Sequence, residues 1–446
     1  MKRVILIVGA LLAVALVVGP LVIGNVGRDN IEKQLAYVTD ANPAITVVTE
    51  SHEAGWFTGS SKHRIVLTDA GAVAGLEALL GDGRFGDQPA LVVSSRLDNG
   101  PVAFSSLGRE GGSLAPALNR SISTIELDLG NGETIALPGR VLSSVGFDGT
   151  NRGQVLVESG SYEFPDDNAT MNWDGADIST EMSSGGRRIA AGGMIKPFSL
   201  SSPDGSVSVS AIEIETEQNK TRYDGIWVGN LAYAMESIEI GNTPAGNLSM
   251  QGLNVKANSD IDDNYISGSG KFSIADIDGP GFADIAVDMS VNIKDWDAAS
   301  LQELTRIMRE MQDAADPAAQ QQYLPEVLAS VQQLANGGAQ MTFDKIHVAI
   351  PQGEVNGTID LRFDKSSDAA QEFSPAALLQ ALHGDLLLEV PEELLNDAMA
   401  AQEGNPMFGM ALAYLEKDGD IYRLKASYEN GLLSVNGMPL PVPMPQ

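Results

Sequence analysis

Four histidines, His52, His63, His347 and His383, are the side chains best placed to move protons near neutral pH. None stands three or four residues from another, so H-x-x-x-H and H-E-x-x-H are both missing and no helix face offers two imidazoles to one metal. No G-x-S-x-G elbow raises a serine nucleophile. Gly81-Asp82-Gly83-Arg84-Phe85-Gly86 fits G-x-G-x-x-G, but dinucleotide binding needs a strand before that motif and a helix after it. Here a helical run precedes it and Pro89 follows, so it reads as a glycine-rich turn. Gly270-Lys271 resembles a fragment of a phosphate loop. Phe272 stands where a hydroxyl must hold magnesium, and Tyr265 where the first glycine belongs. Asp260, Asp262 and Asn264 echo a calcium loop, yet Tyr265 replaces its glycine and Lys271 its bidentate glutamate. Asp276 and Asp278 stand apart from that loop, and solvated turn carboxylates are the better reading. The sequence therefore assigns no catalytic residue, no cofactor and no metal, and the expectation is a protein that is not an enzyme.

The charge balance excludes other functions. With 59 acidic against 28 basic residues, the formal net charge is −31. A phosphate backbone is repelled by such a chain, and no run of Lys and Arg offsets the repulsion, so nucleic acid is ruled out as a partner. Cysteine is absent, which removes disulfides, thiolate metal sites and a lipidated cysteine together.

The first segment looks different. From Val4 to Ile23 no residue is charged, and Val4, Ile5, Leu6, Ile7, Leu11, Leu12, Leu16, Val17, Leu21 and Ile23 make it strongly apolar. About 20 residues at ~1.5 Å each span the ~30 Å hydrocarbon layer. Lys2 and Arg3 precede the run, which places the N-terminus in the cytoplasm and the body in the periplasm. Ala13-Val14-Ala15 is the one signal-peptide cleavage candidate, but it lies inside the apolar run. The expectation is an uncleaved single-pass anchor in the bacterial inner membrane.

The remaining elements follow from periodicity. Arg28 to Thr39 carries Ile31, Leu35 and Val38 at helical spacing, and Asn42-Pro43 ends it. From Ile45 to Ile293 the signal is alternation, clearest where Ile285, Val287, Met289, Val291 and Ile293 alternate with small or polar residues. In Gly205 to Thr216 the phase slips between Val209 and Ile212, as at a β-bulge. Asn131-Gly132, Asp148-Gly149, Asp174-Gly175, Pro203-Asp204-Gly205 and Asp278-Gly279 punctuate the strands as turns. A short helix is expected at Ala72–Leu80. Trp296 to Gly337 is helical, broken at Asp316-Pro317, with Leu301, Leu304, Met308 and Met311 on one buried face and Leu324, Val327, Leu328, Val331 and Leu334 on another. Strands return over Met341–Phe363. Ser374-Pro375 opens a helix, Leu386–Val390 is a strand, helices follow at Pro391 and near Pro406–Leu415, and Ile421–Tyr428 with Leu432–Val435 closes as a hairpin. One-sided strands with tight turns imply an antiparallel sheet.

Gly55-Trp56-Phe57-Thr58-Gly59-Ser60 sets two large aromatics between glycines, and Trp56 and Phe57 form a candidate interaction patch. With Asn99-Gly100-Pro101, Trp173-Asp174-Gly175, Gly225 to Gly229, Ile350-Pro351-Gln352-Gly353 and Gly431-Leu432-Leu433-Ser434-Val435-Asn436-Gly437, this order of motifs resembles the YdgA-like family of bacterial inner-membrane proteins, a domain of unknown function. Asn99 stands where that family more usually carries His. The resemblance implies an anchored envelope protein and supplies no catalytic residue, substrate or cofactor.

The resulting expectation is an α+β fold: a large, twisted, mostly antiparallel sheet, helices of the C-terminal half packed on it, and one N-terminal transmembrane helix. The segments are 1–27 as anchor, 28–44 as stalk, 45–295 as β-rich region, 296–340 as helical segment and 341–446 as an α+β region closing the same body. Two functions fit this: a structural or interaction module of the periplasmic envelope, or a lipid-handling module with an apolar groove in the sheet. The candidate partners are the inner membrane, a lipid, an envelope protein or a second copy of the chain.

Overall fold

The computed structural model describes residues 45–55, 58–68, 89–99, 117–132, 134–164, 168–203, 205–241, 246–313, 322–365, 375–401 and 414–440. The chain forms two compact units, Met1–Glu217 with Ile238–Ala245, and Gln218–Ser237 with Gly246–Gln446.

In the first unit β1 (Ile45–Ala54), β2 (Thr58–Leu67), β3 (Ala90–Asn99), β4 (Asn119–Asp128), β5 (Thr134–Val145) and β6 (Asn151–Val157) form an antiparallel meander, each strand paired with the next. Strand alternation sorts its residues onto two faces. One face holds the core of Val141, Val155 and Ile178, none more than 3% exposed, with Ile125, Val157 and Ile195 packed against it. Burying each such side chain contributes about 1.5–3 kcal/mol. The opposite face has a polar stretch, where Lys62, Ser94 and Thr124 are register partners, beside the buried Val66, Val92 and Ile122.

Beyond β6 the strands are bent at a common level. The following elements are β7 (Gly160–Phe164), β8 (Ala169–Trp173), β9 (Ala176–Met182), β10 (Arg188–Ile195), β11 (Phe198–Ser202), β12 (Gly205–Val209), β13 (Ile212–Lys220) and β14 (Trp227–Gly241). β9 pairs with β6 and β10, whereas β8 pairs with β7 and β11. The breaks at 158–159, 174–175, 196–197 and 210–211 thus line up as a crease across the sheet. Gly175 sits in it at φ 106°, and a Cβ there would meet the Val157 carbonyl oxygen at 2.3 Å. Asp174-Gly175 is therefore a corner inside a strand and not a hairpin turn. The phase slip between Val209 and Ile212 is the same crease and not a bulge: both residues are 1% exposed because the chain passes there from one run of the sheet to the other.

In the second unit β15 (Leu248–Asp262), β16 (Tyr265–Gly279), β17 (Phe282–Asp297), β18 (Gln340–Ile350), β19 (Gly353–Phe363) and β20 (Leu382–Pro391) pair antiparallel in order. β20 then pairs with β22 (Ile421–Glu429), which also carries β21 (Glu416–Asp418) and β23 (Leu432–Val435), and β24 (Met438–Leu440) lies beside β23. Helices α1 (Ala298–Asp313) and α2 (Leu324–Asn336) pack on each other and on this sheet, with α3 (Pro375–Ala381) against α2 and α4 (Glu392–Ala401) against β20. Asp297 caps α1, its Oδ1 accepting from the Ser300 amide at 2.8 Å. Ala298 joins Ile226 and Ile266 in the core beneath α1.

The large antiparallel sheet and its C-terminal helices are as the alternation and periodicity predict. The faces of the helices differ. In α1 the fully buried large side chain is Ile307, while Met308 is 51% exposed; in α2, Leu324 and Leu328 face outward and Leu334 is buried. The helix expected at Ala72–Leu80 and the break at Asp316-Pro317 lie outside the described residues, as does the helix expected near Pro406–Leu415 up to residue 413.

The membrane reading is corrected. Among the described residues no helix is long and apolar enough to cross a membrane. The longest of them, α1, has 16 residues and carries Glu303, Arg306, Arg309 and Glu310; at ~1.5 Å per residue it falls short of the ~30 Å layer. The segment Val4–Ile23 lies outside the described residues, as does the stalk at 28–39. The assignments to the inner membrane, to a periplasmic body and to a membrane partner rested on that helix and are withdrawn with it.

Candidate functional site

The sequence candidates disperse in the fold. His347 bonds Asn356 through Nδ1 at 2.8 Å, and His383 pairs with Asp364 at 2.9 Å, each at a separate strand position. His52 and His63 lie on neighbouring strands, β1 and β2, toward the core face. Burial pushes the His63 imidazole below its ordinary pKa, and the adjacent His52 adds to that shift. Gly270-Lys271 lies inside β16, paired on both sides, so no phosphate loop forms. The calcium-loop echo also dissolves, because Asn264 Oδ1 accepts from the Tyr223 hydroxyl at 2.7 Å and Asp260 Oδ1 from the Ile261 amide at 2.8 Å. Trp56, Phe57 and the glycine-rich stretch 81–86 lie outside the described residues.

Asp276 and Asp278 are not isolated. The β16–β17 hairpin folds Asp284 back onto them, so that one carboxylate oxygen from each lies within 4.8 Å of the others. Asp284 takes a left-handed φ of 52°, and its amide donates to Asp278 Oδ1 at 2.8 Å. Desolvation first, then the neighbouring carboxylates, hold Asp276 above the usual carboxylate range. Converging carboxylates suit a hard divalent cation, but a turn in so acidic a chain gathers them without one.

A second cluster was hidden more deeply in the sequence. On the polar face of the first unit, β1 to β5 enclose an open pocket of about 550 Å³. Its charged lining residues are Lys62, Arg96 and Arg140, drawn from β2, β3 and β5. Register explains the assembly. Ser60 opposes Arg96, and Lys62 opposes Ser94, which opposes Thr124, so hydroxyls and cations alternate across three strands of one face. Ser61 and Ser95 line the pocket too, but register turns their side chains to the other face, where Ser95 bonds Ser123 at 2.8 Å.

Alternation from the core residue Val141 puts Arg140 on this face, next to an irregularity. Between the partners Ser123–Val141 and Ile125–Leu137, β4 advances by one residue, Thr124, whereas β5 advances by Pro138, Gly139 and Arg140. Such a bulge bends the strand that carries it. Gly139 permits it by close approach, since a Cβ there would meet the Leu156 carbonyl oxygen at 2.5 Å. Among the described residues, Arg140 Nε is buried with no hydrogen-bond partner and Arg140 forms no ion pair. Asp177, in register with Arg140 through Leu156 on that face, already accepts from Gln154 Nε2 at 2.8 Å. Lys62 is engaged by Glu50 at 2.9 Å, and Arg64 by Asp128 at 2.6 Å.

A buried guanidinium nitrogen without a partner costs free energy until an acceptor reaches it. A guanidinium fork, an ammonium and several hydroxyls on one concave face form a donor-rich surface suited to an oxyanion. The expected apolar groove for acyl chains is corrected by the same lining: Ile122 is the one large aliphatic residue in it. Sequence inspection missed the site because its three cations are 34 and 44 positions from one another. The signal available was the Pro138-Gly139 break in an otherwise alternating strand.

The family described as "Bacterial protein of unknown function (DUF945)" matches residues 1–443, in agreement with the resemblance read from the motifs. No curated protein and no solved structure matches the chain.

Proposed function

The chain belongs to the DUF945 family of bacterial proteins, and from that premise we propose that it is a binding module whose first unit takes a small ligand bearing a phosphate, sulfate or carboxylate group. The observation that carries this reading is Arg140, set beside the β5 bulge in a pocket with Arg96 and Lys62 and without an anionic partner among the described residues. In a chain of net charge −31, three cations on one concave face run against the overall charge. Binding, and not turnover, is the proposed activity, because the lining residues include neither a carboxylate nor an imidazole to move a proton.

Calorimetric titration of the full chain with inorganic phosphate at low ionic strength tests this. One saturable site is expected, weakened about tenfold to a hundredfold in Arg140→Gln by loss of a charge-assisted bond. Arg152→Gln is the control, since Arg152 is exposed and paired with Glu181. No saturable heat in the wild type, or equal losses in both variants, refutes the proposal.

A further inference from the structure

We infer that Glu50 is a built-in competitor for the pocket, an internal carboxylate that occupies Lys62 and must yield it when an external anion binds. The inference rests on the anion-binding reading above and concerns how that site is regulated.

The geometry is specific. β1 and β2 pair Thr49 with His63 and Ser51 with Lys62, so the register skips Glu50. Glu50 is thus the extra residue of a bulge in β1, and bulges redirect the side chain they carry. Its carboxylate reaches the polar face, Oε2 lying 2.9 Å from Lys62 Nζ and Oε1 3.6 Å from Arg64. The two cations differ in what else they hold. Arg64 has a closer partner in Asp128 at 2.6 Å and does not depend on Glu50. Lys62 has only Glu50 as an ion-pair partner among the described residues, and Lys62 also lines the pocket. The Lys62 ammonium holds the Glu50 carboxyl below its ordinary range, so the competitor stays charged at neutral pH.

Lys62 and Glu50 are 44% and 31% exposed at the side chain, so the pair is solvated and separates readily. A lysine on a flexible stem swings toward a pocket ligand once released. Glu50 therefore acts twice against a bound anion, by holding a donor away and by placing a like charge at the rim. It sets a threshold that favours ligands able to engage Arg140 and Lys62 together.

The test is phosphate titration of the full chain as wild type, Glu50→Gln, Lys62→Gln and the double variant, with Arg140→Gln alongside. Glu50→Gln is expected to tighten phosphate binding about tenfold, the effect of one surface charge a few ångströms away. Most of that gain should be lost in the Lys62→Gln background, because competition requires the lysine and only the rim repulsion remains. If the gain is undiminished there, Glu50 acts only by through-space repulsion and the competitor idea is overturned. If Glu50→Gln binds no tighter while Arg140→Gln still loses affinity, this inference fails and the anion site stands. If neither the wild type nor Glu50→Gln binds phosphate, the anion site itself fails. Glu50→Ala repeats the test should the glutamine variant fold poorly.

Discussion

Replacing Gly139 by alanine tests whether the β5 bulge fixes the position of Arg140 beside it. The added Cβ would sit 2.5 Å from the Leu156 carbonyl oxygen and 3.0 Å from Val157 Cα, both backbone atoms of the neighbouring strand. No side chain can turn away to make room, so β5 and β6 must separate locally. Overpacking of this kind costs about 1–3 kcal/mol. The bulge also carries the bond from the Glu158 amide to the Pro138 carbonyl, at 3.0 Å, and the register of Arg140 against Leu156. Gly192→Ala in β10 is the matched control, because its Cβ would meet only the Ile214 carbonyl oxygen at an ordinary 3.7 Å. Hydrogen exchange read by mass spectrometry resolves the effect by peptide. A local cost of about 1–3 kcal/mol speeds exchange of the β5 and β6 amides roughly fivefold to 150-fold. Gly192→Ala should leave its own strand within about twofold, a few tenths of a kcal/mol. Phosphate affinity should fall in Gly139→Ala as it does in Arg140→Gln. Unchanged protection over residues 134–157 in Gly139→Ala would refute the close-approach argument, and unchanged affinity would refute the role of the bulge.

Two further outcomes follow from burial. His63 has its folded pKa lowered, first by burial and then by His52, so the neutral ring is the form the fold accommodates. The unfolded chain binds that proton more readily, and stability is therefore full above the ordinary histidine value of about 6.5 and lost as pH falls through it. Melting temperature followed from pH 8 to pH 5 should drop, and His63→Gln should flatten the lower part of the curve; an identical slope in the variant counts against the assignment. In α1, Ile307→Ala removes a fully buried side chain and should cost about 2–5 kcal/mol, whereas Met308→Ala, at 51% exposure, should change stability by less than about 0.5 kcal/mol. Urea unfolding of the two variants decides it, and equal costs would mean that the helix is seated differently.

The elements were legible in the sequence where one periodicity ruled. Alternation over Asp284–Ile293 marks a strand that the fold extends to Phe282–Asp297, and the order Ser374-Pro375 marks the start of α3. The helix faces were less legible, because Ile307 and Met308 are adjacent and both apolar, and periodicity alone does not say which one points inward. The crease was misread as a bulge and a turn, since a skipped register and a bent strand leave the same slip in the alternation. Proximity between distant strands was not legible at all. Asp284 joins Asp276 and Asp278 only because the hairpin folds back, and Lys62, Arg96 and Arg140 meet only because β2, β3, β4 and β5 pair in register.

The regular and irregular parts of this sheet contribute different things to the pocket. Alternation alone puts Ser60, Lys62, Ser94, Arg96 and Thr124 on the wet face, and such a floor costs the chain little to keep. It also gives little specificity, because an exposed row of hydroxyls and cations serves any anion. Glu50, which breaks the alternation in β1, and Arg140, beside the β5 bulge, stand at opposite sides of the pocket with opposite charge. One supplies the unpaired donor and the other restrains the nearest mobile cation. A bulge disrupts the ladder and persists when the displaced side chain has a role that a regular strand cannot provide. On that argument the pair of bulges, more than the basic residues themselves, tunes the affinity. Moving Glu50 into register while keeping composition constant would alter binding more than exchanging Lys62 for arginine on the floor.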